Sequence, residues 1–218
     1  MTNEKNIGGF VLAGGKSSRI GRDKSLLECG GETLLARAVR AVSTVGENPV
    51  RIVLKKDQSE TRAHFPPNAA ALEDANDFAN PLAGLAAVFH YCFSQKIEFA
   101  AVLAVDLPFV TSRAIEKLAA IAAASAEFAA VVPRQIDGRP QPLCAVYHAE
   151  KCLDAIERLI KTDENASLRD FLALVPTLYI EQNQLSSDEN LFFNVNRPKD
   201  FERLTAYNFG SKNNSGLE

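Results

Sequence analysis

The sequence predicts an α/β fold built on a mainly parallel, doubly wound central sheet, and three observations carry that prediction. Short apolar runs of strand length alternate with stretches whose apolar residues return at helical spacing, the rhythm of successive βαβ units. One run, Phe99-Ala100-Ala101-Val102-Leu103-Ala104-Val105, is almost wholly apolar, as expected of a central parallel strand covered on both faces. The first run, Gly9-Phe10-Val11-Leu12, stops abruptly at Ala13-Gly14-Gly15, the signature of a buried strand feeding a glycine loop.

The remaining elements follow in order. Thr33 to Val42 reads as a helix after Gly30-Gly31, with Thr33 as its N-cap and Gly46 as its stop. Val50 to Leu54 and Ala70 to Leu72 read as strands, and Pro81 to Phe93 as a helix opened by proline. Beyond the central strand, Asp106-Leu107-Pro108 makes a turn and Thr111 to Ala124 a capped helix. Phe128 to Val132 is the next strand. The polar, Pro- and Gly-rich stretch Arg134 to Pro142 then reads as an active-site loop before a strand at Leu143 to Tyr147. Helices at Ala149 to Ile160 and Ser167 to Leu174, a strand at Thr177 to Ile180, a short apolar run before Asn194 and a helix at Pro198 to Leu204 complete the pattern. Residues 1–206 are expected to form one domain, and residues 207–218, too polar to bury themselves, a flexible tail.

Composition narrows the function classes. With 24 Lys+Arg against 27 Asp+Glu and a net charge of -3, the chain lacks the basic stripe that counterion release on nucleic acid requires. Cys29, Cys92, Cys144 and Cys152 form no CxxC pair, and with three histidines there is no soft-metal site, so the cysteines read as reduced packing thiols. The N-terminus shows no basic leader joined to an apolar stretch, and no apolar run reaches the ~20 residues that span a bilayer. A cytoplasmic monomer is the expectation.

Four clusters carry chemistry. Between Leu12 and Lys24, glycines allow backbone N–H groups close to oxyanions, while Lys16, Arg19, Arg22 and Lys24 crowd positive charge into one loop. That is a triphosphate cradle in kind, matching neither GxxxxGK[ST] nor GxGxxG; an ordinary basic surface turn is the alternative. Asp106 ends the buried strand where an α/β sheet receives its ligand, placed to hold magnesium through oxygen or, more plainly, to cap the following turn. Asp74, in Glu73-Asp74 with Asn76 and Asp77, can accept hydrogen bonds from a guanine edge or ribose, or belong to a solvated acidic turn. Asn194 and Asn196 alternate along an expected strand end before Arg197-Pro198, suited to a metal shell or an acceptor, or to an Asx turn.

Taken in sequence, LAGGKSSRIGRDKSLL, LEDANDFANPLAG, LAVDLPFV, GRPQPLCAVY and FFNVNRPKDFERL resemble the molybdenum cofactor guanylyltransferases, the MobA family, over about Gly9 to Leu204. The resemblance implies a three-layer, Rossmann-like nucleotidyltransferase fold and a magnesium-dependent transfer of GMP from GTP to Mo-molybdopterin, releasing pyrophosphate. It implies that Leu12, Ala13, Gly14 and Gly15 meet the nucleotide, that Lys24 and Arg19 serve its phosphates, and that Asp74 helps recognise guanine. It makes Asp106 the Mg2+ ligand and puts Asn194 and Asn196 near the molybdopterin-bearing acceptor, with Asn196 also near metal. It further implies transient contact with cofactor-insertion proteins or molybdoenzymes. Two positions depart from the pattern: Ile20 replaces a usual Met, and Lys55 stands where an Asn can bind nucleotide. The Gly14-Gly15 pair leans toward GTP over CTP. A related transferase using CTP or another acceptor, and a non-catalytic nucleotide or cofactor carrier, are the rival readings; a Rossmann oxidoreductase is disfavoured by the absent GxGxxG.

Overall fold

A computed structural model describes residues 6–14, 23–46, 49–55, 58–73 and 80–206. The chain opens with β1 (Ile7–Leu12), a 3₁₀ turn at Lys24–Leu26, a small hairpin of β2 (Glu28–Cys29) and β3 (Glu32–Thr33), and α1 (Leu34–Val42). It continues through β4 (Val50–Leu54), α2 (Ser59–Ala63), β5 (Ala69–Glu73), α3 (Pro81–Gln95), β6 (Phe99–Ala104) and α4 (Ser112–Ala124). The second half adds β7 (Ala130–Arg134), β8 (Cys144–His148), α5 (Ala149–Thr162), α6 (Leu168–Leu174), β9 (Thr177–Glu181), α7 (Gln182–Leu185) and α8 (Pro198–Thr205).

Seven strands form one sheet in the order β5-β4-β1-β6-β8-β7-β9. β5, β4, β1 and β6 run parallel, as do β7 and β9, whereas β8 lies antiparallel between β6 and β7. The reason is connection length. A parallel return needs a crossover of a dozen or more residues, usually a helix, and the link from Arg134 to Cys144 contains none.

Strand alternation feeds two cores, one on each face of the sheet. Val11, Ala101 and Leu103 pack with α1 and α4, while Phe10, Ala100 and Val102 pack with α3, α5 and α6. The three-layer α/β expectation holds. All four cysteines are buried free thiols; burial pushes those of Cys92, Cys144 and Cys152 up to about 12, which suits packing and not nucleophilic work.

The caps read from the sequence at Thr33 and Thr111 form, and the structure adds one at Ser167. Thr33 accepts from Ala36 N at 3.1 Å, Thr111 from Ala114 N at 3.3 Å, and Ser167 exchanges a capping box with Asp170. Gly46 is not the stop of α1, which ends at a Ser43 cap in ordinary helical conformation. Glycine is needed at position 46 because a Cβ there would collide with the Ile7 carbonyl oxygen.

Tyr147, fully buried, donates its hydroxyl to Pro142 O at 2.6 Å, and the neighbouring Leu143 O accepts from Ala104 N at 2.7 Å. That pair fastens the β7–β8 connection to the end of the central strand. Tyr147→Phe leaves a carbonyl without its partner and is expected to cost about 1–2 kcal/mol in urea unfolding; an unchanged midpoint would contradict this role. Among the described residues, no helix is long and apolar enough to cross a membrane.

Candidate active site

Parallel strands expose the turns at their carboxyl ends together, so β1, β4 and β6 bring Ala13-Gly14, Lys55 and Asp106 to one edge of the sheet. Leu12 is core, 9% exposed, with its carbonyl taken by Val105 N at 3.1 Å. Ala13 N donates to Val53 O at 3.0 Å, which carries β1 one residue past its strand before Gly14 opens to solvent. Among the described residues, a Cβ on Gly14 would meet nothing closer than 3.9 Å.

Asp106 stands two residues past β6, between buried Val105 and Leu107. Its backbone carbonyl accepts from Val195 N at 3.0 Å. Val195 is fully buried, so this bond fastens the segment carrying Asn194 and Asn196 against the strand end. That segment is irregular and not the strand end the alternating amides suggested. Asn196 N and Arg197 N both donate to Asp200 Oδ2, at 3.0 and 2.8 Å, so the capping box of α8 holds Asn196 in place.

At the centre is the Lys24 ammonium, 2.9 Å from Asp106 Oδ2 and 2.8 Å from Asn196 Oδ1. The Lys24 and Asp106 side chains are only 18% and 19% exposed. Three predicted residues, drawn from three separate parts of the chain, therefore share one cluster. Asn194 Oδ1 is buried and has no hydrogen-bond partner among the described residues. An unsatisfied buried amide oxygen is costly, so Asn194 Oδ1 is an acceptor in want of a donor or a cation.

This donor set suits magnesium. Its members are oxygens, one carboxylate and the Asn196 amide carbonyl, already gathered about a positive charge. Among the described residues no group of three His, Cys, Asp or Glu could hold a metal. An ion here would keep most of its shell from water and phosphate, the habit of Mg2+ rather than of zinc. Gly15, Arg19 and Asp74 lie outside the described residues.

Sequence reasoning missed several supports. Arg37 of α1 donates from Nε to Pro108 O at 3.3 Å and from Nη1 to Cys29 O at 3.2 Å, bracing the Asp106-Leu107-Pro108 turn. Gln58 donates to Ala13 O at 3.3 Å and accepts from Lys55 N at 2.9 Å, tying the ends of β1 and β4 together. Arg37 carried no sequence signal beyond helical position, and Gln58 sits in a stretch without apolar periodicity.

The sheet, whose open edge brings a backbone turn near a lysine held against a strand-end carboxylate and one amide oxygen, has the α/β architecture of the nucleotidyltransferases. The chain belongs to the family of MobA-like NTP transferase domains, whose family model matches residues 9–183. It is 34% identical over 205 residues to a probable molybdenum cofactor guanylyltransferase of Opitutus terrae, covering 92% of this chain and 96% of that one. It is 28% identical over 202 residues to the molybdenum cofactor guanylyltransferase of Rhizobium johnstonii, covering 91% of each. In fold it resembles the crystal structure of molybdopterin-guanine dinucleotide biosynthesis protein A from Archaeoglobus fulgidus, with a TM-score of 0.75 at 23% identity over 91% of this chain and 97% of that one. The 2-C-methyl-D-erythritol 4-phosphate cytidylyltransferase of Thermus thermophilus shares the fold at a TM-score of 0.63 and 18% identity, covering 92% and 98%.

Proposed function

We propose that this chain is a molybdenum cofactor guanylyltransferase, transferring GMP from GTP to Mo-molybdopterin with release of pyrophosphate. The observation that carries the reading is the Lys24 ammonium held between Asp106 and Asn196 at the carboxyl edge of the sheet. The relatives' names supply the nucleotide and acceptor.

In this reading the triphosphate lies across the Ala13-Gly14-Gly15 turn, where a glycine leaves room for close approach of the backbone. Lys24, with Arg19, neutralises the phosphates. With the Lys24 ammonium on a phosphate, the two oxygens it now bridges, Asp106 Oδ2 and Asn196 Oδ1, would be the groups to hold Mg2+. The bound ion supplies charge neutralisation on the phosphoryl oxygens. Asp74 and Lys55 flank the nucleotide, and Asn194 offers its free Oδ1 to the acceptor. An acceptor phosphate oxygen attacks the α-phosphorus as the bond to pyrophosphate breaks. Positioning and charge neutralisation suffice, and no covalent enzyme intermediate forms. The protein acts as a cytoplasmic monomer that meets molybdoenzymes or cofactor-insertion proteins only in passing.

The test is pyrophosphate release from GTP, CTP, ATP and UTP with magnesium and molybdenum-loaded molybdopterin. GTP is expected to exceed the others by roughly a hundredfold or more, as a site hydrogen-bonding one base edge allows, and release is expected to require the acceptor. Preference for CTP would assign the chain to cytidylyl transfer. Binding without release would make it a carrier.

A further inference from the structure

Asp23, immediately before the proposed phosphate lysine, is engaged on both carboxylate oxygens. Ser25 donates to Oδ1 from its backbone N at 3.0 Å and from its hydroxyl at 2.7 Å, which caps the 3₁₀ turn Lys24–Leu26. The Thr61 hydroxyl, from α2, donates to Oδ2. Ser25 and Thr61 are both fully buried, and their oxygens lie 3.4 Å apart. Burial pushes the Asp23 carboxyl up, but the hydrogen bonds from Ser25, Thr61 and Gln58 outweigh it and hold the group below the usual carboxylate range. Asp23 is thus a fixed anion and not a titrating one near neutrality.

α2 has only five residues, too short to stand by propensity alone. Its approach also spans the other side of the site, where Gln58 binds Ala13 O and Lys55 N. One short segment therefore grips both the residue that ends the β1 turn and the residue that starts the Lys24 turn.

We propose that Thr61, acting through the Asp23 carboxylate, is a positioning residue that sets Lys24 against the nucleotide phosphates. The inference rests on the nucleotide-transfer reading of Lys24. Because the Lys24 side chain reaches the site from a turn and not from a strand, its root must be fixed by such bonds. The Thr61 hydroxyl bonds Asp23 and lies 3.4 Å from the Ser25 hydroxyl.

Thr61→Val keeps the buried shape and removes the donor. Guanylyl transfer by the full-length variant is expected to show kcat lowered about tenfold, the scale of one lost bond to a charged group, with KM for GTP within twofold of wild type. Thr61→Ser is expected to restore kcat, a rescue that a purely packing role would not produce. Amide hydrogen exchange at Ser25 should accelerate in Thr61→Val and not in Thr61→Ser. Should the valine variant destabilise the fold, Asp23→Asn provides the second arm, weakening the same acceptor from the other side with the same kcat-selective loss. Wild-type kcat in Thr61→Val, or equal impairment of the valine and serine variants, would overturn the proposal. A wild-type protein that transfers no GMP refutes the guanylyltransferase reading instead, and exchange at Ser25 then decides whether Thr61 holds the turn.

Discussion

Asp106→Ala is expected to lower GMP transfer by roughly 10³-fold, the counterpart of about 4 kcal/mol of lost transition-state stabilisation at a metal-bearing carboxylate. The residue lies at the carboxyl end of the central strand, its Oδ2 2.9 Å from Lys24 Nζ. The fold should tolerate the change. What fastens the neighbouring Asn194–Asn196 segment is the Asp106 backbone carbonyl, bonded to Val195 N at 3.0 Å, and alanine retains it. The lost ion pair, partly exposed, is worth at most about 1 kcal/mol. Steady-state pyrophosphate release, alongside the thermal midpoint, separates the two effects. Activity within threefold of wild type in a folded variant would sink the assignment of Asp106, and with it the magnesium site. Activity lost together with the fold would show instead that the side chain is structural.

Lys24→Met is expected to be the next most damaging change, lowering kcat by about 10²–10³-fold, the range measured when one preorganised charge-stabilising donor is removed. Methionine preserves much of the apolar stem that a lysine buries while deleting the charge. Loss concentrated in kcat fits a group that meets negative charge as it builds on the leaving pyrophosphate. Loss confined to KM would make Lys24 a ground-state binder of GTP. Lys24→Arg should recover little, because a broad planar guanidinium does not present to a phosphate the compact point charge that the ammonium does.

Much of this was legible in the chain before folding. Continuous apolar runs marked β1 and β6 because a strand buried on both faces needs no polar alternation. Thr33 and Thr111 announced their helices because a hydroxyl at the N-cap satisfies a backbone donor wherever the helix lies. Asp106 was identified by position alone, since a carboxylate after a central parallel strand emerges at the ligand edge of the sheet. The short pieces were not legible: the β2–β3 hairpin, α2 and α7 are two to five residues long and carry no measurable period. Asn194 and Asn196 were assigned to a strand end, where the structure shows an irregular segment fastened through Val195 and the α8 capping box.

The sequence by itself determined the alternation of strands and helices and the caps at Thr33 and Thr111, because each depends on side-chain chemistry within a few positions. Tertiary structure alone decided that β8 would reverse direction between β6 and β7. It also decided that Lys24 would meet Asn196 across 172 positions of chain, and that a buried threonine on a five-residue helix would hold the neighbouring aspartate. Those contacts arise from which surfaces the sheet brings together as it buries its two cores, a choice made by the whole chain and written in no local pattern.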